Sequence, residues 1–197
     1  VVLYGMNIRE LEQTSVLVAD IMAAAPFPPI IATDHEGGLV ARLNSNDGLP
    51  ATDIPQAITV GRTGNRELAW RLGATIGAEL RSLGIVMNFA PVVDVDTGEA
   101  GSVLGRHGRA YGTSATTVAD MATAVVAGMQ EAGVSAVVKH FPGHGTASAD
   151  SHDSQATVSH GVERLRGVDL VPFRAAFAAG ADGVMTAHVA LPALTGS

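Results

Sequence analysis

Cysteine is absent from the 197 residues of the chain. This absence excludes a disulfide framework and metal sites built on thiolates, but it does not decide between the cytoplasm, the cell envelope and the exterior as the location. Long apolar runs are also missing, since none reaches the roughly 20 residues that a helix needs to cross a bilayer. No signal-peptide pattern opens the sequence. We therefore expect a globular protein without a membrane-embedded segment.

Charged residues are scarce, at 16% of the chain, and basic residues are the scarcer kind, with 12 Lys and Arg against 19 Asp and Glu. The net charge of -7 repels phosphate backbones and anionic lipids, so we expect neither nucleic acid nor membrane as a partner. Hydrophobic residues make up 47% of the chain, which is enough for a large core. Residues 1–197 are expected to form a single domain that acts on a neutral or polar small molecule.

Short apolar runs bounded by turn residues alternate with stretches of helical period, which is the pattern of parallel strands joined by crossover helices. Because the runs are continuously apolar, we expect strands that are buried on both faces. Five runs are predicted as strands: Val1–Tyr4, Ile30–Thr33, Val86–Val93, Val134–Val138 and Gly183–Thr186.

The helices between these strands have readable ends. One is predicted to follow the N-cap residue Asn65 and to end at Gly84, and another runs from about Ser114 to just before Gly133. Gly73 and Gly77 inside the first of these are expected to let it approach the sheet. Two further helices are predicted near residues 11–24 and before residue 180. The inward face of the Asn65 helix is predicted to carry Leu68, Leu72, Ile76, Leu80 and Leu83.

Each cluster of polar residues directly follows a predicted strand. These clusters are Asp34–Gly38, Asp94, Lys139–Gly145 and His188. A closed ring of strands brings such positions together around one pocket, whereas a flat sheet would spread them out. We therefore predict an α/β fold of the (β/α)8 TIM-barrel type. The barrel is expected to be incomplete, with about five of its eight strands in this chain.

Asp150 and His152 lie two residues apart in a glycine-rich loop after a strand. A carboxylate at this spacing can fix the tautomer of the imidazole, which leaves the other ring nitrogen to exchange a proton with a substrate. The pattern favours a general acid/base dyad. Two alternatives stay open: His140, His144 and His152 could be structural histidines satisfied by hydrogen bonds, or they could surround zinc, although their spacing matches no common zinc pattern.

The chain also resembles a known family. Its K-H-F-P-G-H-G and D-S-H segments are similar to the signature of the glycoside hydrolase family 3 β-N-acetylhexosaminidases of the NagZ type. The segments that carry the resemblance occur in the family's order along nearly the whole chain: Ile31–Gly38 with Arg42, Asn88–Asp94, Lys139–Gly145, Asp150–His152 and Met185–Val189.

The resemblance implies a retaining exo-β-N-acetylglucosaminidase that acts on peptidoglycan fragments or chitooligosaccharides, with neither metal nor organic cofactor. His152 would be the catalytic acid/base, oriented by Asp150. Five residues would bind the N-acetylglucosamine ring: Asp34, Arg42, Arg109, Lys139 and His140. The segment before Arg109 is longer than the family's usual pattern.

Retention also needs a carboxylate nucleophile on the far side of the scissile bond. The resemblance implies an aspartate after the strand that follows Met185–His188, which would lie beyond Ser197. A partial barrel leaves two unpaired edges, so self-association or further segments are expected to cover them. Three other functions stay open: a β-N-acetylglucosaminide phosphorylase, an inactive or sugar-binding fragment without the nucleophile, and a metal-dependent hydrolase.

Glu36, Asp94, His35, His144 and His188 receive no catalytic role from the sequence, and His35 stands where the family has glutamine or glutamate. Glu36 and Asp94 are expected to hold neighbouring loops through backbone hydrogen bonds, and neither is predicted to be catalytic. His144 is expected to shape its loop. His188 is expected to face the pocket, where a structural role is as well supported as contact with a ligand.

Overall fold

The structure is a computed structural model that describes residues 1–44, 49–96, 102–147 and 156–195. Five strands form one parallel sheet in the order β1-β2-β3-β4-β6, and the short strands β5 and β7 form a second parallel pair. The strand bounds are β1 Val2–Leu3, β2 Ala32–Thr33, β3 Met87–Asn88, β4 Ser135–Phe141, β5 Ala156–Thr157, β6 Gly183–Thr186 and β7 Val189–Ala190.

Helices connect the strands of the main sheet. The two longest, α3 and α5, have 17 residues each and pack against one another. A π-helical turn at Leu165–Asp169 leads into α7. The helix bounds are α1 Leu11–Ala24, α2 Ala57–Thr63, α3 Arg66–Ser82, α4 Val103–Arg106, α5 Ala115–Glu131, α6 Val162–Arg164, α7 Leu170–Ala178 and α8 Pro192–Thr195.

The strand order distinguishes a barrel from a doubly wound sheet. Each strand of the main sheet pairs in parallel with the next main-sheet strand along the chain. A doubly wound sheet instead reverses its strand order at a switch point near the middle, where its ligands bind. The described residues therefore form five strands of a (β/α)8-type barrel, and the prediction of an incomplete barrel is confirmed.

Two expectations about the strands need correction. The run Val86–Val93 was expected to be one strand, but β3 covers only Met87–Asn88. Pro91 lacks the N–H that a ladder bond needs, and pairing resumes only as a single bridge between Val92 and Lys139. Burial on both faces also does not hold for the edge strands, since Val2 in β1 is 37% exposed and Val184 in β6 is 41% exposed.

The helix caps agree with the sequence. The Asn65 side chain accepts a hydrogen bond from the Leu68 backbone N–H at 3.1 Å, and Ser114 caps α5 in the same way through Thr117 at 3.4 Å. Gly84 follows the end of α3 with a φ of +76°, a conformation that glycine adopts without strain. The expectation for Leu68 is wrong, because its side chain is 42% exposed.

The glycines inside α3 face a helix and not the sheet, contrary to expectation. A Cβ on Gly73 would lie 2.2 Å from the Val125 carbonyl oxygen of α5, and a Cβ on Gly77 would lie 2.7 Å from the Cβ of Ala132. In the same way, a Cβ on Gly128 of α5 would lie 2.1 Å from the Trp70 carbonyl oxygen of α3. The two helices can pack backbone to backbone only because these positions lack side chains.

The small β5–β7 pair forms part of a second apolar cluster. Ala147, Ala156 and Val158 are almost fully buried there, with Val189 and Leu191 packed against them. The pairing joins the chain near residue 156 to the chain that follows β6. None of the helices in the described ranges is both long and apolar enough to cross a membrane.

Candidate active site

A cavity of about 200 Å³ lies at the carboxyl ends of β2, β4 and β6. This is the end of the strands where barrel enzymes build their active sites. A larger groove of about 360 Å³ lies beside α3, lined mainly by apolar and hydroxyl side chains. The cavity at the strand ends instead brings ionisable groups together: its lining residues are Asp34, Arg109, Lys139, His140, His144, Met185, Thr186, Ala187 and His188.

The segment that leaves β2 presents alternate side chains to opposite sides. Because successive residues of extended chain point in opposite directions, Asp34 and Glu36 share a side while His35 faces away from them. Asp34 lines the cavity and Glu36 lies just behind its wall. His35 is fully buried in the core, where its backbone exchanges two hydrogen bonds of 2.8 Å with the Asn88 side chain.

Lys139 joins these two carboxylates. Its ammonium group lies 2.5 Å from Asp34 Oδ1 and 2.6 Å from Glu36 Oε1, and its side chain is only 1% exposed. An ammonium group buried to this degree needs such partners, because a buried charge without compensation is very costly. Arg42 approaches the same Asp34 from the other side at 3.8 Å. Asp34 is therefore held between two cations.

Arg109 binds Glu36 through two parallel hydrogen bonds. Its Nε donates to Glu36 Oε2 at 2.8 Å and its Nη2 donates to Oε1 at 2.6 Å. Burial by itself raises the pKa of Glu36, but the charges and hydrogen bonds of Lys139 and Arg109 outweigh it and lower the pKa to about 2. Glu36 is thus a carboxylate at any physiological pH.

Asp94 organises the start of the loop after β4. Its Oδ2 accepts from the His140 backbone N–H at 3.1 Å and contacts the His140 ring Nδ1 at 2.7 Å, while its Oδ1 accepts from the His144 backbone N–H at 2.6 Å. Because Nδ1 contacts the carboxylate, Nε2 is the ring nitrogen of His140 that remains for a different partner. Asp94 holds this loop through backbone hydrogen bonds, as expected, and it also orients His140.

The predicted residues fall into two groups. The structure brings together Asp34, Arg109, Lys139 and His140 in the cavity wall, with Arg42 beside Asp34, and His188 and His144 also line the cavity. The proposed dyad, His152 and Asp150, lies outside the described residues, so its placement stays a prediction.

Sequence reasoning missed what Glu36 does. We expected it to accept backbone hydrogen bonds, but its carboxylate pairs with the side chains of Arg109 and Lys139. The signal that could have revealed this is the two-residue spacing from Asp34, which places both carboxylates on one side of an extended segment. The identity of the partners, 73 residues away for Arg109, follows only from the folded chain.

Within the described ranges, no group of three His, Cys, Asp or Glu side chains has the geometry to hold a metal ion. His140 and His144 do lie near each other, with ring centroids 5.6 Å apart. Since His152 lies outside those ranges, the zinc alternative stays a prediction.

Comparison with known proteins gives matches along nearly the whole chain. A β-hexosaminidase of Stenotrophomonas maltophilia (strain K279a) is 40% identical over 194 residues, which cover 98% of this chain and 57% of that protein. A glycoside hydrolase family 3 β-N-acetylglucosaminidase from Paenibacillus sp. str. FPU-7 superposes with a TM-score of 0.86 at 42% identity, covering 98% of this chain and 36% of that one.

A third match has a ligand in its structure. NagZ from Neisseria gonorrhoeae in complex with N-trifluoroacetyl-D-glucosamine superposes with a TM-score of 0.88 at 33% identity, covering 98% of this chain and 57% of that one. The chain thus spans a little over half the length of the curated relative and of NagZ. The family model for the N-terminal domain of glycosyl hydrolase family 3 matches residues 1–197, and the chain therefore belongs to that family.

Proposed function

We propose that the chain is part of the catalytic barrel of a retaining exo-β-N-acetylglucosaminidase that acts on peptidoglycan fragments or chitooligosaccharides. The observation that carries the proposal is the convergence of Asp34, Arg109, Lys139 and His140 on one cavity at the strand ends. Sugar hydroxyls both donate and accept hydrogen bonds, so a wall that offers carboxylate, guanidinium and ammonium groups suits them. The ligand in the NagZ complex is an N-acylated glucosamine, which supports the choice of sugar.

The proposed reaction has two steps. An aspartate nucleophile, expected after Ser197 from the family resemblance, attacks the anomeric carbon while His152 protonates the leaving oxygen. Water then attacks the glycosyl-enzyme intermediate, and His152 takes the proton that the water loses. Asp150 holds the His152 ring in the required tautomer. The D-S-H motif supports these two roles.

The described residues serve binding in this proposal. Lys139 and Arg109 donate hydrogen bonds to the sugar, and Asp34 accepts from a hydroxyl group. His140, with its Nδ1 bound to Asp94, offers Nε2 to a further hydroxyl. Arg42 lies 3.8 Å from Asp34 Oδ2 and holds this carboxylate in place at the cavity wall. These groups orient the sugar relative to the proton donor.

The direct test replaces His152 by alanine in the protein with its natural flanking sequence. We expect turnover of an aryl β-N-acetylglucosaminide to fall by at least about a hundredfold, because general acid/base catalysis contributes on the order of 10²–10⁴ in rate. The matched control is His107→Ala, since His107 is exposed and outside the cavity wall. Undiminished turnover in the His152 variant would refute the proposed dyad.

The same assay separates the three alternatives. Equal rates with and without phosphate, and free N-acetylglucosamine as the product, count against a phosphorylase. Full activity after exhaustive chelation eliminates a metal-dependent hydrolase. Binding of N-acetylglucosamine with no turnover of any β-N-acetylglucosaminide would instead identify a sugar-binding fragment.

A further inference from the structure

Glu36 lies behind the wall of the cavity and does not line it. Its side chain is 6% exposed, and both carboxylate oxygens are already bound by cations. Oε2 accepts from Arg109 Nε at 2.8 Å, while Oε1 accepts from Arg109 Nη2 and from Lys139 Nζ, each at 2.6 Å. The two cations it binds are both cavity-lining residues.

We infer that Glu36 is a positioning residue that fixes the direction in which Arg109 and Lys139 present their remaining N–H groups to the sugar. This inference rests on the proposed function, because it takes the cavity to be the sugar site. Glu36 acts through the two cations and does not touch the substrate.

The N–H groups of Arg109 and Lys139 that do not bind a carboxylate are the hydrogen-bond donors available to a ligand. A guanidinium group has five N–H donors in a rigid plane, and Glu36 engages two of them along one edge of Arg109. The remaining three are thereby fixed in direction, since the plane cannot turn without breaking both bonds. Lys139 has three N–H donors, of which one meets Asp34 and one meets Glu36. One N–H of Lys139 remains for a ligand.

The charge of Glu36 matters as much as its shape. The cluster contains three cations, Arg42, Arg109 and Lys139, and two carboxylates, Asp34 and Glu36. A glutamine at position 36 would remove half of the negative charge and would place an N–H₂ group against groups that can only donate. Lys139 would keep Asp34 as its partner, but Arg109 would lose its carboxylate partner and the guanidinium plane would lose its fixed orientation.

The test begins with Glu36→Gln in the protein with its natural flanking sequence. We expect kcat/KM for an aryl β-N-acetylglucosaminide to fall by about 10- to 100-fold, the scale on which misplacement of binding groups lowers rates. The dissociation constant of N-acetylglucosamine, measured by calorimetry, is expected to rise as well. Glu79→Gln is the matched control, because that carboxylate accepts two hydrogen bonds from Thr52 outside the cavity wall. We expect it to leave both quantities unchanged.

A double-mutant cycle separates positioning from general loss of structure. If Glu36 acts through Arg109, then Glu36→Gln lowers kcat/KM much less in an Arg109→Gln background than in the wild type. Additive effects, or unchanged kcat/KM in Glu36→Gln, would overturn the inference. If Glu36→Gln does not fold, Glu36→Asp keeps the charge but withdraws the carboxylate from the two cations, and the same cycle applies.

A readout without substrate keeps this test distinct from that of the proposed function. The Arg109 Nε–H signal in a nitrogen–proton spectrum, assigned by its loss in Arg109→Gln, is expected to exchange slowly with solvent. In Glu36→Gln or Glu36→Asp it should exchange much faster. Retained protection would overturn the positioning role even if the enzyme proved to cleave another substrate. A protein that fails to cleave β-N-acetylglucosaminides, yet loses the protection in these variants, would refute the function and keep the positioning role.

Discussion

His35 and Glu36 are neighbours in the chain but point to different surroundings. These surroundings keep His35 neutral and Glu36 negatively charged. His35 faces the apolar core, where burial first and then the charge of Arg42 lower its pKa to about 4, although Glu36 opposes the shift. Glu36 faces Lys139 and Arg109, and its pKa is about 2. The folded protein thus contains a neutral imidazole beside a fixed carboxylate.

The buried His35 makes stability depend on pH in a defined window. Its pKa is lower in the folded chain than the ordinary 6.5, so protonation favours unfolding. The contribution of the neutral His35 to the free energy of unfolding is fully present above pH 6.5. It decreases as the pH falls towards 4, by on the order of 3 kcal/mol. The Glu36 contribution is lost only at lower pH, between 4.5 and 2.

Urea unfolding between pH 7 and pH 4 checks this expectation. His35→Gln removes the titrating group, so its stability is expected to fall less across that window than that of the wild type. His107→Gln, at an exposed histidine, should keep the full dependence. If His35→Gln and the wild type lose the same stability, His35 is not the group responsible.

Helices α3 and α5 are in contact along backbone atoms, and this contact depends on single glycines. A methyl group on Gly73 would meet the Val125 carbonyl carbon and oxygen, which belong to rigid helical backbone. We expect Gly73→Ala to destabilise the fold by about 1–3 kcal/mol through overpacking. Gly167→Ala is the control, since a Cβ there has no neighbour within 4 Å. Thermal unfolding compares the two, and an equal melting temperature in both variants would contradict this account.

Local signals predicted some elements and missed others. The caps at Asn65 and Ser114 and the periodicity of α5 act within a few residues, so the sequence reveals them directly. The pairing of β5 with β7 joins Ala156 to Val189, and each strand has only two residues, too few for a pattern. Asp34, Lys139 and His140 were found because they follow strands. The link from Glu36 to Arg109 was missed because it forms only in the folded chain.

The main sheet has two open edges among the described residues. β1 pairs only with β2 and β6 only with β4, and both carry exposed valines, Val2 and Val184. Unpaired strand edges with apolar side chains are templates for pairing with another chain. Further segments of a longer protein or a second copy would satisfy them.

We therefore expect the 197-residue chain on its own to self-associate as its concentration rises through the micromolar range. Sedimentation velocity measures this directly. Val184→Lys places a charge on the β6 edge and should reduce the association, whereas Val16→Lys, on the exposed side of α1, should not. A single monomeric species at every concentration would show that the edges need no cover.

The small β5–β7 sheet has a mechanical consequence for the cavity. The Val158 N–H bonds to the Ala190 carbonyl at 3.0 Å, next to the strand pairing, and β7 begins one residue after the cavity-lining His188. A ligand that displaces His188 must therefore either move residues 156–158 as well or break the main-chain hydrogen bonds between β5 and β7. A displacement of His188 at the cavity wall is in this way transmitted to β5, although none of its residues lines the cavity.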